Sequence, residues 1–276
     1  MPEGHTIHRL AAGHLEKFGG RPLRARSPQG PFAAGAARID GLPMTAAEAH
    51  GKHLFLGFGS SGPAGRPESW VHIHLGLYGK VTFGTGEAPA PVGKIRLRLE
   101  TDGAYADLRG PATCALITPA ERQAVRARLG PDPLRPDGDP ARAFERISRS
   151  RTALAALLMD QRVLAGVGNI YRAEILFRHG LDPYRPGREL ARGVWGPLWE
   201  DLAELMTEGV RTGRIDTVRP EHTPEAMGRP PRVDRHGGEV YVYRCAHRPC
   251  LVCGGEVRSA DLAARSLYWC PACQKG

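Results

Sequence analysis

Lysine is scarce in this 276-residue chain: of 38 basic residues only five are Lys and the other 33 are Arg. Each lysine therefore stands against a strong compositional bias, and Lys52 is one of the five. Long apolar runs are absent, which excludes a bilayer-spanning segment of about 20 residues. The start of the chain also lacks the apolar core of a secretory signal, because Ile7, Leu10, Ala11, Leu15 and Phe18 are interrupted by His8, Arg9, His14, Glu16 and Lys17. A cytoplasmic protein with reduced thiols is expected. No internal repeat occurs. Neither a phosphate-binding P-loop nor a dinucleotide fingerprint is found: the glycines at 166 and 168 are followed by Tyr171 where a third glycine would stand, and no strand precedes them.

What is present points to a two-domain protein with a polyanionic partner. The length suits two domains, 41% hydrophobic residues suffice for real cores, and the formal net charge is +9. The apolar positions 7, 10, 11, 15 and 18 fall on one helical face, so a helix is expected to begin within a few residues of Pro2. Strands are expected at His53 to Phe58, Trp70 to Phe83 and Lys94 to Leu99, with Asp102-Gly103 turning into Ala104 to Leu108. Thr118-Pro119-Ala120-Glu121 has capping-box spacing and opens a helix that ends near Gly130. A proline-rich linker from Pro131 to Pro140 follows, then helical periodicity to about Gly213, with Trp195, Leu198, Trp199, Leu202, Leu205 and Met206 on one stripe. Residues 214–238 lack periodicity and read as a mobile loop. The expected fold class is α+β: an N-terminal helix plus β-sandwich over 1–117, a connecting helix and linker over 118–140, a helical module with its loop over 141–240, and a finger over 241–276.

Cys250-x2-Cys253 and Cys270-x2-Cys273 are separated by sixteen residues. Two such pairs make two knuckles of a four-thiolate zinc site, whose role is structural because no coordination position is left for a substrate. The spacing of Cys245 and His247 fits neither knuckle, and Cys114 reads as a small core residue. Between the knuckles, Arg258 and Arg265 would project from a short basic hairpin that suits a nucleic-acid groove or, equally, a solvated surface.

Three further stretches carry chemistry. In Met1-Pro2-Glu3-Gly4, the small residue at position 2 permits removal of Met1 and would leave a proline imino group as a nucleophile at a helix start; a frayed terminus is the plain alternative. In LAGVGNIYRAEIL, glycines precede a helix near whose first turn Asn169 sits, so backbone N–H groups there could take a phosphate, or the stretch is an ordinary helix junction. In HIHLGLYG, His72 and His74 have the spacing of a metal pair but lack a third ligand and are expected to face solvent or phosphate; Leu77 and Tyr78 at the strand end suit an apolar wedge between base steps, or core packing.

Together and in order, Pro2-Glu3-Gly4, Gly51-Lys52-His53, His74-Leu75-Gly76, Asp107-x-Arg109, Gly166-Val167-Gly168-Asn169 and the four-cysteine finger with Arg265-Ser266-Leu267-Tyr268-Trp269-Cys270 resemble the formamidopyrimidine-DNA glycosylase and endonuclease VIII family of base-excision repair. The Gly4-His5 pair and Leu77-Tyr78 are closer to the endonuclease VIII branch, while Gly76 stands where a polar wedge residue often occurs and Pro111 where the purine branch has Phe. The resemblance implies a glycosylase and β/δ lyase in which Pro2 attacks C1′ of the damaged nucleotide, Glu3 donates a proton, Lys52 carries proton transfer in β-elimination and Arg265 acts in δ-elimination. It implies that His74 and Asn169 contact phosphate, that Arg109 with Leu77 and Tyr78 meets DNA, and that the helical half is a helix-two-turns-helix module. One structural zinc on Cys250, Cys253, Cys270 and Cys273 is expected. The implied partner is double-stranded DNA with oxidised bases, chiefly pyrimidines, or abasic sites, bound by a nucleoid-associated monomer without membrane contact. Oxidised-purine specificity, a non-catalytic zinc-stabilised DNA-binding protein on the same scaffold and an RNA-associated zinc ribbon are the competing readings.

Overall fold

The computed structural model describes residues 2–59, 67–233 and 238–275. It divides into two compact units, Met1–Arg128 and Leu129–Gly276. In the first, helix α1 (Gly4–Phe18), strand β1 (Arg24–Arg26), helix α2 (Ala33–Ile39) and strands β2 (Met44–His50), β3 (His53–Phe58), β4 (Ser69–His74), β5 (Lys80–Thr85), β6 (Ile95–Thr101), β7 (Ala104–Arg109) and β8 (Thr113–Ile117) precede helix α3 (Pro119–Ala127). The strands form two antiparallel four-stranded sheets, ordered β1-β6-β7-β5 and β2-β3-β4-β8. Alternation sends Leu54, Leu56, Phe58, Val71 and Ile73 of one sheet, and Leu97, Leu99, Ala106 and Leu108 of the other, into a common core.

Helix α1 differs from its expected face. His14 is 2% exposed and Leu15 is 49% exposed, so the buried side runs through Ile7, Ala11, His14 and Phe18. The His14 imidazole satisfies itself by donating Nδ1–H to the Leu10 carbonyl at 2.7 Å, and it meets the Phe83 ring edge-on at 4.9 Å. The expected single strand from Trp70 to Phe83 is two strands, broken at Leu75–Gly79, where Gly76 takes a φ of +67°. Strands β2 and β8 and helix α2 had no recognisable period in sequence. Helix α3 has both hydrogen bonds of its capping box: Glu121 N–H donates to the Thr118 hydroxyl at 3.2 Å, and Thr118 N–H to the Glu121 carboxylate at 2.7 Å.

In the second unit the helices are α4 (Pro140–Ser148), α5 (Leu154–Leu157), α6 (Asn169–Arg178), α7 (Arg192–Thr212) and α8 (Pro224–Met227), followed by the hairpin β9 (Arg258–Leu262) and β10 (Arg265–Trp269). The residues that open the proline-rich stretch are not free: Gly130 N–H donates to the Gln161 carbonyl at 2.8 Å, Ala165 N–H to that of Pro131 at 2.9 Å, and Asp132 is 1% exposed. The α7 stripe is core as expected, with Trp195, Leu198, Trp199, Leu202 and Met206 buried and Leu205 packed against them. Val257, Leu267, Cys250 and Cys270 belong to that same core, so the hairpin and knuckles pack on the helices.

Residues 214–233 hold more structure than an irregular loop, including a 3-10 turn at Pro220–His222 and helix α8; 234–237 lie outside the described residues. Their anchor is Glu174, a fully buried carboxylate on α6. It accepts from the Thr217 hydroxyl at 2.6 Å and from the backbone N–H groups of Tyr241, Val242 and Tyr243 at 2.7, 2.9 and 2.8 Å. Nothing local in the sequence announces this contact, because its partners stand 43 to 69 residues away.

Candidate active site and zinc centre

Glu3 is the N-cap of α1 and is completely buried, its carbonyl accepting from Thr6 N–H at 3.0 Å; Pro2, half-buried, comes directly before it. The positive end of the helix therefore begins beside the prolyl nitrogen. Helix α1 packs along β2 and β3, and its far end is bridged to the start of β2 at Gly19–Met44. A 15-residue helix spans about 22 Å and a seven-residue strand about 23 Å. The first turn of α1 thus reaches toward the same end of the unit as the β2–β3 turn.

That turn is the two-residue loop Gly51–Lys52, closed by the His50–His53 pair. Gly51 has a φ of +57° at the first central position and Lys52 is not left-handed, the pattern of a type II′ hairpin. Below Lys52, the outward-facing side chains of three strands form rows: His50, His53 and His74, then Glu48, Phe55 and His72. His53 and His74 rings lie 4.9 Å apart, His53 and His72 5.1 Å, and His72 and Phe55 5.0 Å. His53 Nδ1 is hydrogen-bonded to His72 Nε2 at 2.8 Å. Arg122 of α3 covers the far end, 4.0 Å above the Trp70 ring and ion-paired with Glu48. Burial and then the neighbouring His72 and His74 lower His53 to about 3; burial and then His74 lower His72 to about 4. His74, half-buried, is lowered by burial and by the Lys52 ammonium.

These rings revise one expectation. His72 does not face solvent: it is 9% exposed and spent on His53. His74 is set beside Lys52. Leu77 is not core either, being 51% exposed, with Tyr78 at 88%, on the turn between β4 and β5. Arg109 ends β7 and donates to Asp107 at 2.9 Å and to the Thr82 hydroxyl at 3.0 Å. Arg98, which alternates in β6 with the apolar Leu97 and Leu99, is nonetheless 4% exposed because Asp107 grips it at 2.6 and 2.9 Å.

In the second unit, Asn169 opens α6 and turns its amide inward: Nδ2 donates to the Ser266 carbonyl at 2.9 Å. Arg172, fully buried one turn later, donates from Nη2 to the same carbonyl at 3.1 Å and to the Asn169 side-chain oxygen. Ser266 is the residue after Arg265, so both side chains fix the strand that bears this arginine. Arg265 itself is exposed, at the exit of a two-residue turn whose Ala263 and Ala264 have φ of +51° and +59°. Such a conformation costs about 1–2 kcal/mol per non-glycine residue. Sequence reasoning missed Arg172 and Glu174, which lie inside a helix of ordinary composition.

The four expected cysteine sulfurs lie within 4.8 Å of one another. Cys250 and Cys273 sulfurs are 3.9 Å apart, and Cys253 and Cys270 3.5 Å. Four thiolates around a zinc at about 2.3 Å stand roughly 3.8 Å apart, so the donor set fits the metal. Cys245 instead faces the Tyr243 carbonyl, His247 pairs with Glu256 at 2.7 Å, and Cys114 is pushed up to about 12 by burial.

Three family models match the chain: the formamidopyrimidine-DNA glycosylase N-terminal domain over 1–114, the formamidopyrimidine-DNA glycosylase H2TH domain over 129–220, and the zinc finger found in FPG and IleRS over 249–276. A relative from Mycobacterium tuberculosis, Endonuclease 8 1, is 47% identical over 281 residues, covering 99% of this chain and 100% of that one. The chain belongs to the formamidopyrimidine-DNA glycosylase and endonuclease 8 family. It is also similar to the formamidopyrimidine-DNA glycosylase of Laribacter hongkongensis, at 30% identity with both chains fully covered. Among solved structures, Lactococcus lactis Fpg in complex with DNA containing an abasic site has a TM-score of 0.77 at 20% identity, covering 99% of this chain and 100% of that one, and shares the fold. Enzymes of this glycosylase family remove oxidised bases in base-excision repair, and the finger carries one structural zinc. Among the described residues no helix is long and apolar enough to cross a membrane.

Proposed function

We propose that this glycosylase is bifunctional, releasing oxidised bases, pyrimidines above all, from double-stranded DNA and then nicking the strand at the abasic site by β- and δ-elimination. The observation that carries this reading is the placement of Pro2 directly ahead of the buried N-cap Glu3, at the end of the unit toward which the Lys52 turn points. The helix terminus disfavours a protonated amine, so more of the prolyl nitrogen is free near neutral pH.

The proposed chemistry follows from a secondary amine. Attack of the Pro2 nitrogen on C1′ forms a C–N bond as the base leaves with its electron pair and takes up the proton that the nitrogen loses; Glu3 then protonates the sugar ring oxygen, and cleavage of the C1′–O bond opens the ring to an iminium. The cationic iminium acidifies the C2′ proton. Lys52 takes that proton and the 3′-phosphate departs; Arg265 supports loss of the 5′-phosphate in the second elimination. His74, beside Lys52, and the backbone N–H groups at the start of α6, where Asn169 fixes the turn with its inward amide, would hold the flanking phosphates. When bound, zinc supplies folding free energy to the finger and takes no part in these steps.

Pyrimidine preference rests on the relative named Endonuclease 8 1 and on Gly4-His5 and Leu77-Tyr78 in this chain. Borohydride reduction during reaction with an abasic duplex should yield a covalent protein–DNA adduct through Pro2. Nicking without any trapped adduct refutes the Schiff-base mechanism. Duplexes each carrying a single oxidised base then rank the lesions, and faster release of an oxidised purine overturns the pyrimidine preference.

A further inference from the structure

The last torsion of a histidine side chain is broad, so strand register alone does not aim the imidazole of His74. In this chain a file of rings does. The Arg122 guanidinium lies 5.8 Å from the centre of the Phe55 ring, and Phe55 stacks on His72 at 5.0 Å and 15°. His72 stacks on His53 at 5.1 Å and 22°, and His53 meets His74 at 4.9 Å and 50°. The file thus starts on the fully buried Phe55 and ends on the half-buried His74 beside Lys52.

One bond turns this stack into a fixture. His53 and His74 are direct partners in the β3–β4 ladder, whereas His72 is paired with Phe55 two residues along. His53 Nδ1 reaches diagonally to His72 Nε2 at 2.8 Å, a span open to long side chains on one face of an antiparallel pair. The His72 ring is itself held between Phe55 and His53. A hydrogen bond is directional where stacking is not, so the tether sets the tilt of the His53 ring and with it the surface that His74 leans on. Burying imidazoles costs more than burying phenyl rings of similar size, and a purely apolar floor would have been the cheaper support.

We propose that His53, tethered to His72, is a positioning residue for strand scission: it fixes the His74 imidazole, and through it the phosphate beside Lys52, for β-elimination. The inference rests on the lyase reading above. His53 acts through His74 and not on the sugar.

The test times two steps on one abasic duplex with the enzyme in excess: adduct formation at Pro2, read by borohydride trapping, and nicking, read as cleaved strand. His53→Phe keeps a ring in the stack and removes the bond. It is expected to slow nicking about tenfold more than it slows adduct formation, the scale of loss when a group at the chemistry is misplaced. His53→Asn puts an amide where Nδ1 stands and should recover most of the nicking rate. His72→Phe breaks the same bond from the other side and should match His53→Phe, which keeps the test decisive if either variant fails to fold. Equal slowing of both steps, nicking at the wild-type rate, or no recovery by His53→Asn overturns the inference and leaves the Schiff-base reading intact. A wild-type protein that nicks without a trapped adduct removes that reading, and the inference with it.

Discussion

Nδ1 of His53 lies 2.8 Å from Nε2 of His72, across the β3–β4 ladder and beneath the turn that carries Lys52. One proton occupies that contact. Protonating both rings would set N–H against N–H, in agreement with lowered values of about 3 and 4. Two more buried histidines, His5 and His14, are lowered to about 4 by burial.

The sign of the resulting pH dependence is fixed. Each imidazole binds its proton less tightly in the folded protein than in the unfolded chain, where the value is about 6.5. Full stability is therefore present above pH ~6.5 and is lost progressively as pH falls toward ~4. The melting temperature should be level between pH 8 and 7 and fall below. His14→Phe should flatten that fall; a melting curve that rises on acidification excludes the buried neutral histidines.

Replacing Glu174 should be among the costliest changes in the chain. Its carboxylate serves four buried donors, and each one left unsatisfied costs about 1–3 kcal/mol. Glu174→Ala is expected to unfold the second unit or lower its stability by several kcal/mol, measured by urea denaturation. A loss under about 1 kcal/mol would mean that the Tyr241–Tyr243 segment is held by other contacts.

Pro2→Gly should slow base release by orders of magnitude while changing duplex affinity little, because the nucleophile changes and the basic surface does not. Single-turnover excision and a binding isotherm on the same duplex separate the two effects. Equal excision by both proteins would mean that another group attacks C1′.

Cys250→Ser should remove bound zinc and DNA affinity together. Cys250 is 3% exposed in the same core as Leu267 and Val257, so losing the metal loosens the hairpin that bears Arg265. Metal analysis should find one zinc in the wild type and none in the variant. Normal DNA binding by a zinc-free variant would contradict a role for the finger in the complex.

Much of this was legible in the sequence where a signal is local. The cysteine spacing, the Thr118–Glu121 capping box, the α7 stripe and the Asp102-Gly103 turn each depend on residues a few positions apart. What escaped reading depends on distant partners. His14 is core because its own helix supplies an acceptor and Phe83 a wall, yet in sequence it interrupts an apolar face. Arg98 is buried because Asp107 faces it across a ladder, and Arg172 because Ser266, 94 residues later, offers a carbonyl. The candidate active site divides in the same way. Pro2, Glu3 and Lys52 were visible as residue types, whereas the histidine rows that floor Lys52 emerge only once three strands are in register.

The Gly51–Lys52 loop has a consequence beyond the lysine it displays. A strand's side chains alternate sides, so one residue added to this loop or removed from it would exchange the two faces of β3. His53 and Phe55 would be driven inward while Leu54, Leu56 and Phe58 met water. Drift at this corner is thus confined to letter-for-letter replacement, and the gap length is itself inherited information.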